Sequence, residues 1–198
     1  MKTSSSPRGW HSRGYLPHFD GGEICQFITL HLGDALPKKV LEKWKRNLDF
    51  ENDEYAKQLL YERINKYLDQ GYGSCWLNRP DIAAIAEESL LRWDSIRYRL
   101  LSWVIMPNHT HFLIKPIEGF PLSKIMKNHK SFTSHSANKV LKRNGQFWQE
   151  DYFDRYIRDH DHYVDTIRYI EMNPVKAGFC KKPEDWRFGS ARLRLQNS

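Results

Sequence analysis

Two runs dense in apolar and aromatic residues, 98–106 and 109–115, are separated only by Pro107 and Asn108. So short a turn-prone link joins antiparallel neighbours, and the pair predicts a β-hairpin. A hairpin is not stable alone, so further strands and a helical layer are required. Residues 25–32, β-branched and aromatic, supply a first strand that ends at Gly33 and Asp34. Helical periodicity covers 38–46, 54–69 and 80–93, the last with Pro80 in its first turn and Ile82, Ile85, Ala86, Leu90 and Trp93 on one face. A helix over 122–141 sets Leu122, Ile125, Met126, His129, Thr133 and Val140 on one side, and an extended segment at 147–157 follows. A last helix spans 161–173, stopped by Pro174 and Gly178. The order is βαββαβ with a helical insertion after the first strand and a C-terminal helix. It predicts an α+β, ferredoxin-like fold, an antiparallel sheet with helices on one face.

A chain of 198 residues, 40% apolar and 14% aromatic, can bury one core. The expected division is a flexible leader at 1–13, a single domain at 14–192 and a tail at 193–198. No run approaches the length of a membrane span and the N-terminus does not resemble a signal peptide, so a cytoplasmic protein without membrane contact is expected. Cys25, Cys75 and Cys180 are odd in number and form no CxxC pair, which argues against a disulfide framework or a cysteine zinc site.

The net charge of +7 is concentrated: residues 119–149 hold no Asp or Glu but carry Lys124, Lys127, Lys130, Lys139, Lys142 and Arg143. Such a face is either a solvated helix surface or a track for phosphates. On a strand, the period of two points His109 and His111 to the same side, as two ligands of one metal ion require; an isolated HxH also arises by chance. Patterns for an HxHxH triad, a paired HxT phosphoesterase or an HExxH zinc helix are absent. On the last helix Tyr163, Val164, Ile167 and Ile170 form an apolar stripe, and Tyr169 is expected to point away from it, with Asn173 one turn on. Tyr169 is thus either an amphipathic rim residue or a hydroxyl aimed at a reacting centre.

Together, His109-Thr110-His111, Phe147-Trp148-Gln149, Arg155 to Asp159, and Arg168-Tyr169-Ile170-Glu171-Met172-Asn173-Pro174-Val175-Lys176-Ala177-Gly178 resemble the REP-associated tyrosine transposases, single-tyrosine members of the HUH nuclease superfamily. The resemblance covers about 14–192 and includes the Arg13 to Phe19 opening and the Trp186 to Ser190 ending. It implies a ferredoxin-like, metal-dependent endonuclease and strand transferase acting on single-stranded DNA at palindromic or hairpin sequences. His109 and His111 would be metal ligands for Mg²⁺ or Mn²⁺, Asn173 the third, and Tyr169 the nucleophile that forms a 5′-phosphotyrosine. Lys124, Lys127, Lys130, Trp148, Tyr152 and Arg158 would contact DNA. Thr110 stands where the family usually has a bulky apolar residue, and Asn173 where related transposases often have glutamine. Tyr152, Tyr156 and Tyr163 are the competing nucleophiles. The alternative is a binding protein of transposase descent that no longer cuts, and monomer and homodimer both remain open.

Overall fold

The computed structural model describes residues 9–12, 17–47 and 54–194. The expected hairpin is present as β4 (Tyr98–Ile105) and β5 (His109–Pro116). β5 also pairs antiparallel with β3 (Gln26–His31), and β3 with the short β6 (Phe153–Tyr156), so the sheet order is β4-β5-β3-β6. A separate two-stranded sheet joins β1 (Gly9–Ser12) to β2 (Pro17–Asp20). Within the leader expected at 1–13, residues 9–12 form this strand; 1–8 and 13 lie outside the described residues. The expected tail likewise begins inside the fold. Leu193 of the terminal helix at Ala191–Arg194 packs on the core, and Arg194 lies 2.8 Å from Glu171.

Alternation along the strands divides the sheet into two faces. Ile28, Leu30, Phe112, Ile114, Trp103 and Ile105 pack with α3 (Pro80–Leu91) and α4 (Leu122–Val140). Phe27, Leu113, Val104 and Met106 turn the other way, against Ile170 of α5 (His160–Lys176). The expectation of helices on one face holds for α3 and α4, but α5 lies on the opposite face. The insertion after β3 forms α1 (Lys38–Arg46) and α2 (Glu54–Leu68), which bury Leu41, Leu60, Ile64 and Leu68.

Three local readings need correction. Pro174 lies inside α5, which runs one turn further before Gly178, at φ +77, closes it. A proline removes one donor without forbidding the turn when the chain's packing holds it. Val164 is 48% exposed, the buried side of α5 being Thr166, Ile170, Asn173 and Pro174. In α4 Ala137 occupies the core position assigned to Val140, which is exposed. Within the extended segment, only Phe153–Tyr156 is a strand; Trp148 forms an isolated bridge to Leu32.

β2 is fastened to the sheet edge by His18, whose ring lies between two carboxylates, with Nδ1 2.5 Å from Asp154 and Nε2 2.6 Å from Asp151. Burial alone would lower the His18 pKa, but hydrogen bonds to Asp151 and Asp154 outweigh it and raise the group to about 9. The bound proton therefore stabilises the fold fully below the unfolded value near 6.5, and that contribution is lost as pH rises through about 9. We expect denaturant titrations to show on the order of 2 kcal/mol less stability at pH 9.5 than at pH 6.5, a slope absent from His18→Gln. Equal slopes in both proteins would contradict the clamp.

Candidate active site

His109 and His111 project from β5 onto the face that α5 covers, and both side chains are buried. Each ring is oriented through Nδ1. Asn108 donates its amide hydrogens to the carbonyls of Leu68 and Tyr72, both at 3.0 Å, so its Oδ1 must accept the 2.7 Å bond from His109 Nδ1. The proton thus sits on Nδ1 and leaves the Nε2 lone pair bare. His111 Nδ1 is held at 2.8 Å by the Thr29 hydroxyl, itself 3.1 Å from the Tyr61 hydroxyl of α2. Nε2 of both histidines is buried without a hydrogen-bond partner.

The last helix brings Tyr169 to this pair. Its ring centroid is 5.3 Å from that of His111 and 5.8 Å from that of Phe27, and the two histidine rings are 4.6 Å apart. Tyr169 therefore faces the sheet, not away from the packed side of α5 as the helical wheel implied. The stripe was misdrawn because Val164, though apolar, is on the solvent side. Asn173, 1% exposed, lies against Tyr169 and Asp69, with its Oδ1 unpartnered. The extra turn of α5 carries Lys176 Nζ to 5.2 Å from the Tyr169 ring centroid.

Burial holds both imidazoles neutral: His109 falls well below its ordinary value, with His111 and His31 adding to the effect, and His111 falls to about 3. Burial also raises the Tyr169 phenol well above its usual range, reinforced by Tyr61 and Asp69. Asp69 rises to about 6, again through burial, against the opposing pull of Lys176 and a hydrogen bond from Asn173. Neutral imidazoles with free lone pairs are the form that ligates a metal, and the unpartnered Asn173 oxygen adds a third donor; the residues fit a divalent ion. Among the described residues, His, Cys, Asp and Glu side chains alone make no group of three suited to a metal ion.

The other candidates separate. Lys124 and Lys127 are exposed on α4, on the far side of the sheet from the histidines. Lys130 is not free for phosphate: its ammonium donates to the carbonyls of Gln149 at 2.7 Å and Glu150 at 2.5 Å. Trp148 is 2% exposed and donates from Nε1 to Thr133 at 2.7 Å, so it is a core residue and not a stacking platform. Tyr152 is half-buried with its ring 4.4 Å from His18, and Arg158 is exposed. Tyr156 packs on Phe19 and Tyr163 stacks on His160, neither against the histidine pair. His31 is paired across strands with His109, but its ring stacks on Phe153 and its Nδ1 bonds the Leu32 carbonyl.

Sequence reasoning missed Thr29, Tyr61, Asp69, Asn108 and Lys176. The spacing of Tyr61, Asn65 and Asp69, each four apart on one helical pattern, was the one local signal available.

Comparison with known proteins finds similarity to transposases. Residues 81–173 match the family described as "Transposase IS200 like", a stretch that contains His109, His111, Tyr169 and Asn173. The REP-associated tyrosine transposase of Escherichia coli (strain K12) is 30% identical over 95 residues, 47% of this chain and 54% of that one. A putative REP-associated tyrosine transposase of Haemophilus influenzae is 27% identical over 96 residues, 43% of this chain and 54% of that one. The chain thus spans about half the length of these curated relatives. A solved structure described as a REP-associated tyrosine transposase bound to a REP hairpin superposes with a TM-score of 0.58 over 93% of this chain and 86% of that one, at 17% identity, a likeness of fold. Both share an α+β architecture with a four-stranded antiparallel sheet. Among the described residues no helix is long and apolar enough to cross a membrane.

Proposed function

We propose that this chain, whose residues 81–173 match the IS200-like transposase family, cuts and rejoins single-stranded DNA at hairpin or palindromic sequences through a 5′-phosphotyrosine on Tyr169. The observation that carries this reading is one cluster of buried, unpartnered polar atoms: Nε2 of His109 and His111, Oη of Tyr169 and Oδ1 of Asn173. Each such atom costs a fold about 1–3 kcal/mol when nothing pairs with it. A protein that only bound nucleic acid would have no use for that expense at the nucleophile and both histidines together. The sheet order supports the ferredoxin-like topology: counted from β3, the four strands lie 2-3-1-4.

His109, His111 and Asn173 would hold Mg²⁺ or Mn²⁺, which supplies charge stabilisation to an oxygen of the scissile phosphate. Asn108 keeps His109 aimed and in the tautomer that leaves its Nε2 free, and Thr29 keeps the His111 ring aimed. The protonated phenol of Tyr169 is the resting nucleophile. As its Oη bonds phosphorus, the bond from phosphorus to the 3′ oxygen breaks; the phenolic proton is lost and the departing oxygen gains one. The phosphodiester's energy is kept in the phosphotyrosyl bond, so the freed 3′-hydroxyl can reverse the step without a nucleotide cofactor. Lys176 places a cation beside the ring, where negative charge develops on Oη. The DNA partner is proposed from the hairpin named for the solved relative, with Lys124, Lys127, Arg158 and Tyr152 as contacts available on the surface.

Incubation of the chain with single-stranded hairpin DNA and Mn²⁺, followed by denaturing electrophoresis, tests this function. A protein band shifted by covalent DNA is expected; cleaved DNA with no shifted band would point to water as nucleophile. If α4 tracks phosphates, Lys124→Ala with Lys127→Ala should reduce the slope of log affinity against log salt by roughly 1.4, about 0.7 for each phosphate lost. An unchanged slope would take the DNA off α4.

A further inference from the structure

The lysines of α4 lie on the far side of the sheet from Tyr169, so a DNA strand that reaches the tyrosine needs cations on the near side. Lys176, beside the Tyr169 ring, is one. Arg155 of β6 is another. It is paired across the strands with Phe27, and side chains directly opposite in an antiparallel pair stand on the same face. The Phe27 ring in turn lies 5.8 Å from the rings of Tyr61 and Tyr169 and 5.4 Å from that of His111. The Arg155 charge is within electrostatic range of Tyr61 on α2 and of His162 in the first turn of α5, which sets the guanidinium on the side of the sheet that both helices border. Arg155 is half-buried, yet among the described residues no carboxylate or carbonyl accepts a hydrogen bond from it. A planar fork of donors, held partly out of water without an acceptor, matches the paired oxygens of a phosphodiester.

We propose that Arg155 binds a phosphate of the single strand adjacent to the one that is cut, and so holds that strand against the Phe27 side of Tyr169. The inference rests on DNA being led to Tyr169, as the proposed function requires, and the experiment keeps the two apart. The full chain is titrated, in EDTA to prevent cleavage, into a labelled hairpin oligonucleotide with single-stranded arms, and binding is followed by fluorescence anisotropy. Arg155→Gln should bind about ten- to a hundredfold more weakly, the usual loss for a charge-assisted hydrogen bond, and should lower the slope of log affinity against log salt by about 0.7. Its melting temperature should equal or exceed that of the unsubstituted chain, since no pair within the protein is broken. Arg155→Lys, which keeps the charge without the fork, should recover the slope and only part of the affinity. Each arm phosphate is then replaced in turn by an uncharged methylphosphonate. One position should weaken binding by the unsubstituted chain and leave Arg155→Gln unaffected. Unchanged affinity in Arg155→Gln, a loss that no single phosphate position accounts for, or a lower melting temperature would overturn the contact. A Tyr169 adduct in Mn²⁺ beside any of those results would leave the proposed function standing. The expected Arg155 effects without any adduct in Mn²⁺ would support the phosphate contact and overturn the tyrosine reading.

Discussion

Tyr169→Phe is expected to eliminate both the covalent DNA adduct and strand cleavage while leaving hairpin affinity and folding in place. The substitution removes one oxygen, and that oxygen is buried without a hydrogen-bond partner. An ordinary core tyrosine loses about 0.5–1.5 kcal/mol with its hydroxyl because a bond is broken. Here there is none to break, so stability should stay level or rise, while the ring keeps its edge-on contacts with Phe27 and His111. Tyr61 is the internal control. Its hydroxyl is bonded to Thr29, which in turn holds His111. Tyr61→Phe should therefore lose stability on the order of 1 kcal/mol yet keep adduct formation. Measured activities in the opposite order would transfer the nucleophile to α2.

His109→Ala and His111→Ala should each abolish cleavage, with loss of Mn²⁺ binding as the parallel readout. Both rings are buried and neutral, so their removal leaves space but breaks no ion pair that the fold depends on. The two differ in what they leave behind: His109→Ala strands the Asn108 oxygen, whereas the Thr29 hydroxyl freed by His111→Ala still has Tyr61. His109→Ala should accordingly be the less stable of the pair by thermal melting. Full cleavage by either variant, or by the unsubstituted chain in excess EDTA, would exclude a two-histidine metal site.

What the sequence made legible is what depends on neighbours in the chain. The hairpin, the shared side of His109 and His111, and the pairing of Tyr169 with Asn173 across one helical turn all follow from local periods of two and 3.6. What it withheld is the other half of the site, because Thr29, Tyr61 and Asp69 reach the histidines from elements 40 to 82 positions away in the chain. Composition also failed to sort surface from core. Trp148 and Lys130 suit a nucleic-acid surface by residue type, but the indole pairs with Thr133 and the ammonium caps two carbonyls. The wheel on α5 erred for a related reason: an exposed valine was counted as core, while Thr166 and Asn173, both polar, are the buried positions.

The central claim is that one tyrosine, set against two histidines, takes the DNA covalently. It is tested most directly by allowing the unsubstituted chain to react with hairpin single strands and Mn²⁺, digesting protein and DNA, and mapping the phosphate by mass spectrometry. The account predicts a nucleotide-5′-phosphate on the peptide that contains Tyr169, at Tyr169 itself. Phosphate on Tyr61, Tyr152, Tyr156 or Tyr163, or cleaved DNA with no modified tyrosine, would contradict it.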